Sequence, residues 1–301
     1  MRHEKRDTLL AMLRNHPDSY RWIDVFCARS DTPLDIMGDI YACCLECVAM
    51  VDCEPSLIRS LCDGEIAAAK IPYVPSEPLP SYTEICRTKA PQLIELLYRF
   101  LQCGWWQRVW TWQEMVLPVG PVRLMAETET HQLSQRNTVT VDELCEYVTT
   151  AIIIETSLNE LYNSSGSYGD ICTSEVMRTS AVLRDLHDIT TARRSSSHRI
   201  SGSKDTFMYY ILDSLSESTR RCYDPADYVY GVLGALQIKI PRVEDPNVAW
   251  RHLLLKLDDY SEKGEVYSRK CIDRAHEVDL QKAETIGAVY KKLKAIFYEF
   301  S

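Results

Sequence analysis

A chain of 301 residues, 46% hydrophobic and 26% charged, has the balance of a globular protein and enough apolar side chains for a sizeable core. Its formal net charge of −9 has the wrong sign for a nucleic-acid binder, which needs a dense basic surface to displace counterions from phosphates. No apolar run approaches the ~20 residues of a membrane helix. The charged stretch from Met1 to His16 has no secretory hydrophobic segment, so the chain reads as cytoplasmic with no membrane span.

The 11 glycines form no G-x-G-x-x-G or G-x-x-x-x-G-K-[ST] pattern, which removes the usual Rossmann and P-loop nucleotide sites. The 12 cysteines, without a secretory segment, read as reduced thiols rather than a disulfide framework. Cys43, Cys44, Cys47 and Cys53 form the one cluster. Lacking a second pair or spaced histidines, they imply no metal site and read as small buried residues at a helix-to-strand junction.

In chain order, the spacing of Leu9, Leu10 and Leu13 predicts a helix over 4–14, ended by His16-Pro17. Trp22 to Cys27 is short, aromatic and β-branched, and predicts a strand buried on both faces. Asp31 as N-cap and Pro33 in the first turn start a helix that runs to about Cys44. Cys47 to Val51 predicts a second buried strand. Helix, strand, helix, strand implies a parallel sheet with crossover helices. Four prolines between Pro72 and Pro80 mark a surface connection within an insertion over 71–90.

Helices are predicted for Pro91–Gln102 and Trp105–Leu117, then a brief strand over Val122–Met125. Beyond Glu127 the pattern is mainly helical: Val141–Leu161, Ile171–Thr190, Asp205–Leu215, Asp224–Leu236, Asn247–Asp259 and Ala275–Tyr298. Arg193–Ser203 is Ser-rich and basic and reads as a flexible joint. The expected organisation is an α/β core over 1–127, a small parallel sheet flanked by helices, followed by a mainly α-helical region over 128–301.

Within Trp105–Leu117, Trp105, Val109, Trp112 and Val116 share one apolar stripe, and Trp106, Trp110 and Leu117 share another. Gln107, Thr111 and Glu114 form a polar third. Two apolar stripes mean a largely buried helix, which sets Glu114 in a cleft where its pKa rises unless it is paired. Perturbed acids in clefts are candidate functional groups. Pairing with Arg108 or another buried cation is the competing structural reading, and the tryptophans also read as core. Asp24, inside an apolar strand, is a weaker candidate; a hydrogen bond to a loop amide is its other reading. Arg108 reads as a salt-bridge partner or an anion contact. No histidine completes a triad, and Cys27 reads as buried and inert.

Three segments carry a family resemblance in the family's order: YRWIDVFCARSD (Tyr20–Asp31) with MGDIYACC (Met37–Cys44), GWWQRVWTWQEMVLP (Gly104–Pro118) and DPADYVYGVLGAL (Asp224–Leu236). They resemble the fungal heterokaryon incompatibility (HET) domain, and the second, with its Trp-aromatic-x-Arg-x-Trp-x-x-Gln-Glu signature, is the most specific. Cys27-Ala28-Arg29-Ser30 departs from the family's Cys-Ile-Asn-Gln, and Asp224-Pro225-Ala226-Asp227 from its Asp-Pro-Arg-Asp. The family's opening strand and its Ser-Tyr-x-Trp-Gly turn have no counterpart. The resemblance therefore implies an N-terminally truncated HET core, similar to a TIR fold with its first strand missing.

What the resemblance implies about function is a signalling or interaction module of fungal non-self recognition and programmed cell death. Such a module acts through self-association or a protein partner. The likeness to TIR domains implies a second activity, hydrolysis of NAD+ as a substrate, because Trp110 and Glu114 match a Trp-x-x-x-Glu pattern. Breaking the nicotinamide–ribose bond builds positive charge on the sugar, which a carboxylate stabilises. Trp106 or Trp110 would stack on a base, and no other cofactor is implied. A degenerate copy without function is the third reading.

Overall fold

The computed structural model describes residues 3–15, 23, 34–63, 80–129, 136–153, 155–156, 170–201, 204–260 and 278–298. The expected strand at Trp22–Cys27 (Ile23 apart), Asp24, Cys27 and the 71–79 part of the proline-rich insertion lie outside them. In chain order the elements are α1 (His3–Asn15), α2 (Leu34–Cys43), β1 (Cys47–Val51), α3 (Pro55–Leu61) and α4 (Pro80–Leu101). Then come α5 (Gly104–Gln107), α6 (Trp110–Val116), β2 (Val122–Ala126), β3 (Val139–Thr140) and α7 (Val141–Cys145). The remaining helices are α8 (Asp170–Ser201), α9 (Lys204–Glu217), α10 (Asp227–Leu236), α11 (Pro246–Tyr260) and α12 (Ile286–Tyr298). Among the described residues no helix is long and apolar enough to cross a membrane.

The described residues are thus mostly helical with a small mixed sheet, ordered β1-β2-β3. β3 corrects the wholly parallel expectation: it runs antiparallel to β2, with Arg123 opposite Thr140 and Leu124 opposite Val139. It is two residues long because Thr140 turns at once into a capping box. Its hydroxyl accepts from Glu143 N–H at 3.1 Å while the Glu143 carboxylate accepts from Thr140 N–H at 2.7 Å.

Several helices differ from expectation among the described residues; α7, expected to run from Val141 to Leu161, stops at Cys145. α4 begins at Pro80 rather than Pro91, carrying Pro91 in its interior at the loss of one ladder hydrogen bond. Burial of Leu93, Ile94, Leu97 and Phe100 on its later turns offsets that loss. α8 continues through Arg193 to Ser201, where a flexible joint was expected. Arg193 Nη1 donates to the carbonyls of Met115 (3.1 Å) and Pro118 (3.0 Å), and no glycine interrupts the helix before Gly202. The expected helix start at Ala275 lies outside the described residues; α12 starts at Ile286, because a 3-10 turn over Leu280–Lys282, capped by Asp279, stands in front of it.

Contacts divide the chain into two compact units, each assembled from separate stretches of sequence. The first comprises Met1–Ser19, Val48–Trp105 and Pro121–Thr190. Its core is the sheet, with Val51, Val122, Leu124 and Met125 buried, and α3 packed on both β2 and α4. α1 is fastened by Thr8, which donates to the Glu129 carbonyl at 2.8 Å, and Lys5, which reaches Glu127. The buried Glu129 carboxylate is met by Arg59 Nη2 at 3.0 and 3.1 Å. Asp52, just past β1, accepts from the N–H groups of Gly104 (3.0 Å) and Trp105 (2.9 Å), supplying acceptors at the start of α5.

The second unit comprises Tyr20–Cys47, Trp106–Gly120 and Thr191–Ser301. α9 lies along α12, and α10 packs against α2, α6 and α11. Its core includes Trp112, whose indole N–H donates to Ser214 at 3.0 Å, and an edge-to-face pair of Trp250 and Tyr290 with ring centroids 5.6 Å apart.

Candidate functional site

The tryptophan-rich segment does not form the single helix that its stripes predict. The helical run breaks after Gln107 and resumes at Trp110. Arg221 N–H donates to the Gln107 carbonyl at 2.6 Å and Val109 N–H donates to the Arg221 carbonyl at 3.1 Å, a parallel bridge centred on Arg108. Those two backbone groups are thereby withdrawn from the helical ladder. The apolar stripe stays inside regardless: Trp105, Val109, Trp112 and Val116 are all buried.

Arg220, next to that bridge, is 2% exposed. Its Nη1 donates to Thr111 Oγ1 at 2.6 Å and to the Arg108 carbonyl at 3.2 Å, and its guanidinium lies over the Trp106 ring at 5.9 Å. Thr111, expected on the polar stripe, is buried, with its hydroxyl satisfied there, also donating to the Arg108 carbonyl at 2.7 Å. Sequence reasoning missed Arg220. In the polar run Ser218-Thr219-Arg220-Arg221 an arginine reads as solvated, and no local signal marks it as buried.

The other candidates fall on the same stretch. Trp106 is buried against Arg220. The Arg108 side chain is exposed, although its carbonyl is used twice. Trp110 is half-buried and its indole N–H donates to the Asp227 carboxylate. Glu114 is half-buried on α6, four residues beyond Trp110.

Asp227 opens α10, three residues after the expected start at Asp224. Burial pushes its carboxyl above the ordinary carboxylate value; the Trp110 indole opposes the rise, Asp224 adds to it and Arg242 opposes it. A raised folded pKa means the native state holds the proton longer than the unfolded state. The contribution is therefore present at low pH and lost as pH rises from the ordinary carboxylate range through the folded value. Asp227→Asn keeps an acceptor for Trp110 and removes that loss. Its urea midpoint is expected to match wild type near pH 3 and exceed it near pH 7, at roughly these pH values. An Asn variant less stable than wild type at both would reverse the assigned direction.

Around α6 a second constellation gathers. Gly38 of α2 and Gly234 of α10 approach so closely that a Cβ on either would overlap the Cα of the other. A Cβ on Gly234 would also strike Gln113 Oε1, and one on Gly231 would strike Val109. Gln113 is fully buried; its Nε2 donates to the Tyr230 carbonyl at 3.3 Å. Its Oε1 has no N–H or O–H donor among the described residues and rests where Gly234 has no side chain. Tyr230 ties down the following segment, its hydroxyl accepting from Val243 N–H at 2.7 Å. Helix-interior glycine costs about 1 kcal/mol relative to alanine. Gly38, Gly231 and Gly234 inside apolar helical patterns were therefore a legible sign of close approach.

A cavity of about 360 Å³ adjoins the crossing, lined by Gly38, Asp39, Gly234, Gln237 and Lys239 among others. Gln237 caps α10 in a left-handed conformation, φ 56°. None of Trp106, Arg108, Trp110 and Glu114 lines this cavity. Among the described residues no group of three or more His, Cys, Asp or Glu is arranged to hold a metal ion. The cysteine cluster is not buried as expected: Cys43 is exposed, and Cys44, Cys47 and Cys53 are partly exposed at the end of α2 and around β1. No family model, curated protein or solved structure matches the chain.

Proposed function

We propose that this chain is a HET-type module of fungal non-self recognition and programmed cell death, acting through association with itself or with a signalling partner. One observation carries this reading. Segments that bear the resemblance, distant in sequence, form α2, α6 and α10, and these helices pack on one another. Gly38 of the first segment, Gln113 of the Trp-x-x-Gln-Glu signature and Gly234 of the last meet at one point. A signature whose separated members share a packing site is what inheritance of a fold would demand; unrelated local matches have no reason to converge. The test is inducible expression of the full chain in a filamentous fungus, scored by vital-dye uptake, with sedimentation of the purified protein. Cell death with an oligomer is expected. A harmless, strictly monomeric protein at high expression would overturn the proposal.

A second reading, NAD+ cleavage, draws on the half-buried Glu114 carboxylate one helical turn from Trp110. Purified protein incubated with NAD+ is then expected to release nicotinamide, with Glu114→Gln lowering the rate about 100-fold or more at an unchanged circular-dichroism spectrum. Absence of release from the wild type removes this reading and leaves the first intact.

A further inference from the structure

We propose that Cys53 and Cys103 are a peroxide-responsive thiol pair, interconverting between two thiols and a disulfide that staples the end of β1 to the turn between α4 and α5. The two thiols interact with each other although fifty residues separate them, and Cys103 Sγ also donates to the Arg99 carbonyl at 3.5 Å. Their neighbours hold them there. Asp52 accepts from Gly104 and Trp105 N–H, so the residues flanking both cysteines are tied together. Cys53 N–H donates to the Val51 carbonyl at 2.9 Å and Cys103 N–H to the Phe100 carbonyl at 3.2 Å, fixing each turn. Both thiols are partly exposed, so a small oxidant reaches them without unfolding.

The two sulfurs have distinct roles. The Cys53 hydrogen bond holds the Cys103 thiol below its usual pKa; burial and Asp52 oppose this, and Arg99 assists. Cys53 is pushed well above its usual value by that same hydrogen bond, then by burial and by the charges of Cys103, Asp52 and Glu54. Cys103 is therefore the attacking thiolate and Cys53 the resolving thiol. Cys103 sulfur attacks one oxygen of hydrogen peroxide; the S–O bond forms, the O–O bond breaks, and the departing hydroxide takes a proton to become water. Cys53 sulfur then attacks the sulfenic sulfur; the S–S bond forms, the S–O bond breaks, and a second water leaves carrying the Cys53 proton. Two thiols and one peroxide become one disulfide and two waters, and a small dithiol reverses the change. The staple would close the loop that contains α3 and α4, directly before the chain enters the tryptophan-rich segment.

The test uses the full wild-type chain under native conditions. It is treated with hydrogen peroxide, its remaining thiols are alkylated, and the digest is sequenced by tandem mass spectrometry. A Cys53–Cys103 linked peptide is expected, lost on treatment with dithiothreitol, together with a rise in melting temperature of about 5 °C or more. In Cys53→Ser, Cys103 is expected to be trapped as a dimedone adduct; in Cys103→Ser, no adduct forms at Cys53. Recovery of both cysteines as free thiols from oxidised wild type, or linkage of either to another cysteine such as Cys44 or Cys47, would overturn the proposal whether or not the variants fold.

Discussion

Gly38→Val is expected to destabilise the protein by about 3 kcal/mol or more, read as a fall in the urea midpoint. Overpacking a core usually costs about 1–3 kcal/mol because side chains shift to make room. Here the new Cβ would meet the Gly234 backbone, which has no rotamer to change. α2 and α10 would have to separate, and Met37 and Tyr41, buried on α2, would lose contacts with them. Gly38→Ala makes the sign diagnostic. On an open helix face this change stabilises by roughly 1 kcal/mol. At a true backbone crossing it destabilises instead. An alanine variant as stable as wild type would show that the helices do not meet in this way. The same variants bear on function: if the α2–α6–α10 junction is the working part of the module, both should lose cell-killing activity in proportion to their loss of stability.

Arg220→Leu is expected to cost about 3 kcal/mol. Leucine fills much of the volume but leaves Thr111 Oγ1 without its charged donor, removes one of two donors from the Arg108 carbonyl, and ends the contact over the Trp106 ring. A charge-assisted bond of 2.6 Å is stronger than a neutral one. The coupling can be measured with Thr111→Val and the double variant. If the guanidinium clamps the break at Arg108, the two losses will fall short of additivity by about 1 kcal/mol or more. Additive losses would mean the two side chains do not interact. Indole fluorescence should redden in Arg220→Leu as the tryptophan segment loosens.

The short elements of the first unit were legible in sequence because their causes are local. Cys47–Val51 and Val122–Ala126 are brief apolar runs between polar or turn-forming residues, and both are strands over nearly the predicted bounds. The same local rules failed where a distant partner intervened. Arg193–Ser201 has loop-like composition, yet its start is held by the carbonyls of Met115 and Pro118, and the helix continues. Pro91 reads as a helix start, yet buried apolar residues beyond it carry the helix across.

The candidate site divides in the same manner. Glu114 could be singled out from residue type and spacing, Trp106 and Trp110 from the family resemblance, and the burial of the Trp105–Val116 stripe followed from its apolar character. Their partners could not. The break at Arg108 is imposed by Arg221, more than a hundred residues away, and Trp110 is engaged by Asp227, at a similar separation.

By itself the sequence determined which residues would seek burial and where most helices and strands would form, since propensity, capping and hydrophobic period act within a few residues. The tertiary structure alone decided the Gly38–Gly234 crossing, the buried clamp of Arg220 and the grouping of separated stretches into two units. Those features depend on backbone groups meeting across long separations. Their energy comes from close contact and exclusion of water at a particular geometry, which no short window of residues encodes.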